Sequence, residues 1–144
     1  MGFTIDDALR EFKKNYKMTL LAGEDGCSNA MTWVQMVEDK TILQQLWGKE
    51  LVVTTGLGFQ SQKKLKEFIE QLVKYHSVGL VINTGKYVFD IDQEIIDYCN
   101  ELSFPLLVVP WEVHIADMIK DFSYHCLRCL LYTSPSPRDG ATSR

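Results

Sequence analysis

At 144 residues, with 46% hydrophobic and 24% charged side chains, the chain has the size and balance of one globular domain around one hydrophobic core. No run approaches the roughly 18 consecutive apolar residues that a membrane span requires, and Asp6 and Asp7 stand where a secretory signal would be basic and then apolar. A formal charge of −4 argues against nucleic-acid binding by this segment alone, because phosphate affinity needs a basic face and the densest basic runs, Lys13-Lys14 with Lys17 and Lys63-Lys64 with Lys66, read as solvated helix faces. Residence in the cytoplasm is expected. Gly2 does not make a myristoylation signal, since Asp6 occupies the position that wants Ser or Thr.

Thr4 followed by Asp7 reads as a helix N-cap with an acid at the third helical position. Ile5, Ala8, Leu9 and Phe12 then recur at helical spacing, predicting a helix to about Lys14. Met18 to Ala22 reads as a strand stopped by Gly23-Glu24-Asp25-Gly26, and Met31 to Val37 as a second strand. The two are expected to form a hairpin or to lie side by side. Thr41 to Leu46 is expected to be a short helix with Ile42, Leu43 and Leu46 inward. Glu50 to Thr55 is a β-branched strand ending at Gly56-Leu57-Gly58. A helix follows from about Ser61, with Leu65, Phe68, Ile69, Leu72 and Val73 on one face. Gly79 to Asn83 is the next strand. Ile95, Ile96, Cys99 and Leu102 mark a helix capped by Asp90 or Asp92. Pro105 to Pro110 is a further strand, and Ile115 to Cys126 a last helix.

Strands apolar on both faces and alternating with helices predict a sheet covered on both sides. The segment from Leu51 to Cys126 should therefore be a parallel β-α-β-α-β-α unit, extended by the earlier strands. The expected class is α/β, a three-layer sandwich with a mostly parallel, mixed sheet.

Cys126 and Cys129 form one C-x-x-C pair, but Cys27 and Cys99 do not complete a zinc site at suitable spacing, and no metal is expected. The pair is weakened further by the tail. Cys129 through Asp139 match, without a mismatch, the translation of a transposase sequencing adapter, and Thr142-Ser143-Arg144 resembles its next constant segment. Residues 1–128 are taken as the domain and 129–144 as an artefactual tail without fold. On this reading a natural portion past Arg128 is missing.

In an open parallel sheet, ligands bind beyond the carboxyl ends of the strands. Three loops qualify, and their candidate residues are Thr54, Thr55, Gly56 and Gly58; Asn83, Thr84, Gly85 and Lys86; and Trp111 with Glu112. Hydroxyls, an amide, a cation, a carboxylate and aromatics suit a small planar polar molecule. The glycines serve equally well as simple turn residues, and Trp111 as a packed lid. Gly56-x-Gly58 lacks the third glycine of a dinucleotide fingerprint, and Tyr87 follows Gly85-Lys86 where a P-loop has Ser or Thr. Neither NAD nor any other cofactor is expected. Glu38, Asp39 and Glu112 are acids at strand ends whose meeting in space the sequence leaves open. No nucleophile paired with a base is legible, and no catalysis is expected.

Several blocks, in order, resemble a known family. Ala22 to Gly26, then Thr32-Trp33-Val34-Gln35 and Glu38, are similar to the opening of the PucR-type N-terminal domain of bacterial transcription regulators. Gly48 to Gly58 looks like that family's Gly-x-Glu-Leu-Val-Leu-Thr-Thr-Gly signature. Gly79 to Ile82, Gly85-Lys86-Tyr87 and Phe104 to Pro110 continue the match, which runs from about Phe3 to Cys126. One departure is Trp111-Glu112-Val113-His114, where relatives often carry Pro-Phe after the Val. The resemblance implies a metabolite-sensing module ahead of a DNA-binding helix-turn-helix, in regulators of purine degradation. The expected partners are thus a small effector (a purine catabolite or related nitrogen metabolite), DNA only through a C-terminal part outside this chain, and no membrane. The alternative is a ligand-free homodimerisation domain using Ile115, Met118, Ile119, Phe122 and Leu127 of the last helix.

Overall fold

The computed structural model describes residues 2–133. Its core is a five-stranded sheet in the order β1-β5-β4-β3-β2, formed by Thr19–Ala22 (β1), Trp33–Met36 (β2), Glu50–Thr54 (β3), Gly79–Thr84 (β4) and Leu106–Pro110 (β5). β2 through β5 run parallel, and β1 joins β5 antiparallel. Ile5–Tyr16 (α1), Gln62–Lys74 (α2), Gln93–Glu101 (α3) and Ile115–Thr133 (α4) cover it.

Alternation along each strand produces the layers, because successive side chains point to opposite faces. Leu51, Val53, Val81 and Val109 pack with Ile5 and Ala8 of α1 and Met118 and Phe122 of α4. Val52, Leu80, Ile82 and Leu106 pack with Leu65, Phe68, Ile69 and Leu72 of α2 and Ile95 and Cys99 of α3. Both faces are thus buried, giving the expected three-layer α/β sandwich with a mixed, mostly parallel sheet.

Local signals are realised closely at the helix starts. Thr4 Oγ1 accepts from Asp7 N at 3.0 Å while Thr4 N donates to Asp7 Oδ2 at 3.0 Å, a reciprocal capping box. Ser61 Oγ accepts from Lys64 N at 3.1 Å to open α2. Asp92 occupies the N-cap of α3 without a side-chain bond; instead its backbone N–H donates to Gln62 Oε1 at 2.9 Å.

The expected adjacency of the first two strands is corrected. β1 and β2 lie at opposite edges of the sheet. The chain turns at Gly23 (φ +76°) and forms a 3-10 turn at Glu24–Gly26. It then crosses beneath the N-terminal ends of the parallel strands. Asp6 N donates to Cys27 O at 2.9 Å and Met31 N to Phe3 O at 2.8 Å, tying this crossing to the segment before α1. Gly23 and Gly26 are pressed so closely against the backbone of residues 103–105 that a Cβ would lie 2.1 Å from Phe104 O and 2.0 Å from Ser103 O, respectively.

The structure also bears on smaller expectations. The short helix at 41–46 is a 3-10 turn, Lys40–Gln45, which buries Leu43 but leaves Ile42 exposed, because three residues per turn rotate it off the inward face. Leu102 follows α3 as its exposed C-cap. α4 runs past Arg128 to Thr133, so the helix does not register the change of composition at Cys129; the rest of the expected tail, 134–144, lies outside the described residues. Met118 and Phe122, expected to serve a dimer, are fully buried in the chain's own core. Of that stripe, Leu127 is exposed.

Candidate functional site

Parallel pairing of β2 with β3 sets Met36 opposite Val53, which brings the residues after both strands together. Glu38 follows β2, and its carboxylate accepts three hydrogen bonds from the end of β3. These come from Thr54 Oγ1 at 2.8 Å, Thr55 N at 3.0 Å and Thr55 Oγ1 at 2.6 Å. Thr54 Oγ1 in turn accepts from Gly56 N at 3.1 Å. Thr54 is fully buried, whereas Glu38 and Thr55 are half-buried. Ionic acceptors strengthen such bonds, and a half-buried carboxylate needs them. Glu38 also faces a groove of about 720 Å³ between the Lys40–Gln45 turn and α2, lined further by Lys40, Gly58, Lys64, Glu67 and Gln71.

The second loop is built on β4. Asn83 Nδ2 donates to the carbonyls of Val109 at 3.1 Å and Pro110 at 3.0 Å, which fastens the ends of β4 and β5 together. Thr84 closes β4 half-buried, and Gly85 (φ +113°) turns the chain where a Cβ would stand 3.2 Å from Trp111 Cβ. Trp111 and Tyr87 meet edge to face at 5.8 Å, with the Lys86 ammonium 5.8 Å from both ring centres. β4 leads to α3 on one face of the sheet and β5 leads to α4 on the other, so the chain diverges between these two strand ends. Divergence of this kind is where open α/β sheets offer a crevice. Here Trp111 stands over Gly85 at that point, 39% exposed.

The first two loops touch through Gly56 (φ +87°), where a Cβ would lie 2.4 Å from Val88 Cγ2. Gly58 packs against Glu38 O, where a Cβ would lie at 2.3 Å. Thr54, Thr55, Gly56, Gly58, Asn83, Thr84, Gly85, Lys86 and Trp111 thus share the C-terminal end of the sheet. Glu112 is the exception: it is exposed and ion-paired with Lys17, the left-handed C-cap of α1. Glu38 and Glu112 are engaged by different partners, which answers what the sequence left open. The residue that sequence reasoning undervalued is Glu38. Its only signal is an acid directly after a strand whose parallel neighbour ends in Thr-Thr.

Nucleophilic chemistry finds little support among the cysteines. Burial pushes the Cys99 and Cys126 thiols up to about 12 and Cys27 up to about 11, so all three stay protonated near neutrality. Among the described residues, no group of three or more His, Cys, Asp and Glu side chains is placed to hold a metal ion, and no helix is long and apolar enough to cross a membrane.

Two comparisons bear on identity. Residues 8–125 match the model of the purine catabolism regulatory protein-like family, PucR. The purine catabolism regulatory protein of Bacillus subtilis (strain 168) is 31% identical over 109 residues, covering 75% of this chain and 20% of that protein. The chain thus spans about a fifth of the curated relative it matches. The matched region contains all four parallel strands, the Glu38 network and the loops at the strand ends, and the chain belongs to the purine catabolism regulatory protein-like (PucR) family.

Proposed function

We propose that this domain senses a small metabolite and passes that signal to a DNA-binding part outside the chain. The Glu38–Thr54–Thr55 network beside an open groove carries the reading, because it sets a polar, half-buried cluster at the strand ends. The effector would lie over Thr55, Gly56 and Gly58, with Thr84, Gly85, Lys86 and Trp111 as the second side, while the buried Thr54 and Asn83 hold the strand ends in place beneath it. Lys86 with the Tyr87–Trp111 pair offers a cation and a ring face to a planar polar molecule. Glu112 would contribute only by giving up Lys17. Membership in a regulator family, and the name of the Bacillus subtilis relative, favour a nitrogen metabolite of purine type and a cytoplasmic, non-enzymatic role. Signalling requires the effector to prefer one conformation, typically by about 1–3 kcal/mol. The rival dimerisation reading is weakened because Met118 and Phe122 are consumed by the core.

A thermal-shift screen of the chain against nucleobases, purine catabolites and ureides tests the proposal. A ligand at a hundred times its Kd should add about 2.7 kcal/mol of stability. A flat screen on well-folded protein counts against sensing.

A further inference from the structure

β2 is an edge of the sheet, paired on one side with β3. Val37 N donates to Val53 O at 2.9 Å. By the alternation of a strand, Trp33 and Gln35 also face β3, while Val34 and Met36 turn their N–H and C=O outward. On that outer side Met36 O meets the exposed Gln35 side-chain amide at 3.2 Å. Native edges are guarded by charge, proline or a bulge. β2 has no such guard: its register with β3 is regular, and neither a charged residue nor a proline stands between Gly26 and Val37.

The surface beside this edge is apolar as well. Trp33 is 44% exposed, Met36 38% and Trp47 98%. Trp33 and Trp47 border a groove of about 590 Å³, together with Gln35, Gln45 and Leu46. The one charged residue of its lining, Glu50, has its carboxylate engaged by Trp47 N at 2.7 Å and Gly48 N at 2.8 Å. Interface cores are enriched in Trp and Met and depleted of charge.

We infer that β2 pairs antiparallel with β2 of a second copy, about a two-fold axis at Gln35, joining two five-stranded sheets into one. In this arrangement the edge is complementary to itself, because Val34 of each protomer exchanges both backbone bonds with Met36 of the other. Charge favours the same occupant. Two copies of net charge −4 approach most readily over an uncharged face, and residues 26–37 and 41–48 supply one without a single charged side chain. The area also suffices: the rings of Trp33 and Trp47 alone offer about 300 Å² toward the roughly 800 Å² that each partner covers in a standard interface. This face is separate from the α4 stripe, whose Met118 and Phe122 stay in the core.

Sedimentation equilibrium of the full chain tests the inference, with amide hydrogen exchange as the local readout. A monomer–dimer equilibrium is expected, in which the Val34 and Met36 amides gain protection as concentration rises. Trp47→Glu changes a fully exposed side chain, so the fold stays intact, and it should weaken association about 30-fold or more. Met36→Lys supplies the guard that β2 lacks and should also weaken it. Leu127→Glu, on the exposed side of α4, should leave association unchanged. The inference is overturned if the chain is monomeric up to about 1 mM, or if Trp47→Glu associates as the parent does. A dimer whose Val34 and Met36 amides exchange as in the monomer, or one that Leu127→Glu dissolves, also overturns it.

Discussion

Replacing Glu38 with alanine removes the acceptor for three donors at once. Thr55 is half-buried, so its N–H and hydroxyl can turn to water at little cost. Thr54 is fully buried, and its stranded hydroxyl should cost about 1–3 kcal/mol. With the loss of the ionic bonds to Thr55, the whole change should be about 2–3 kcal/mol. At about 4 °C per kcal/mol for a chain of this length, the melting point falls by about 8–12 °C. A double-mutant cycle with Thr54→Val isolates the buried bond. In the valine background the stranded donor is gone, so Glu38→Ala should cost only about 1 kcal/mol, a coupling of about 1–2 kcal/mol. Loss of the Gly56 N–Thr54 Oγ1 bond occurs in both valine proteins and cancels. Urea denaturation followed by circular dichroism measures all four corners. Additivity within about 0.5 kcal/mol would refute the argument that Glu38 organises this end of the sheet.

Two further perturbations probe the scaffold. Gly23→Ala places a methyl at φ +76° against the Phe104 carbonyl, so it should cost about 3 kcal/mol or more and lower the melting point by about 12 °C; a shift under about 2 °C would contradict the crossing geometry. Tyr16 links α1 to α4 by donating to Asp121, and burial followed by that carboxylate raises its phenol above the ordinary value of 10.0. A folded-state pKa above the unfolded one gives stability that is present below pH 10 and lost as pH rises beyond it. Tyr16→Phe should therefore cost about 1 kcal/mol at neutral pH, with the deficit shrinking in urea melts above pH 10; a deficit independent of pH would contradict it.

What the sequence disclosed follows the range of each interaction. The Thr4–Asp7 capping box, the Ser61 cap and the α2 stripe act over three or four residues, so their spacing alone reveals them. β3, β4 and β5 were legible because strands buried on both faces cannot tolerate polar alternation. Strand order was not legible: nothing within β1 or β2 encodes that β2 will pair with Glu50 to Val53 and β1 with Leu106 to Val108, far along the chain. The same limit governs the site. Asn83 looks like a ligand donor in sequence, yet its amide ties β4 to β5. Glu50 reads in sequence only as the start of a strand, yet its buried carboxylate closes the turn at Trp47 and Gly48. Glu38 gains its role only through the β2–β3 register.

Effector binding at the carboxyl ends of the strands is the central claim, and amide NMR mapping with the strongest ligand from the thermal-shift screen tests it most directly. The account predicts saturable shifts at Thr54–Gly58 and Asn83–Lys86, weakened by Thr55→Ala combined with Lys86→Ala in a domain that stays folded. Shifts that avoid both loops, or an affinity unchanged by the double substitution, would contradict it.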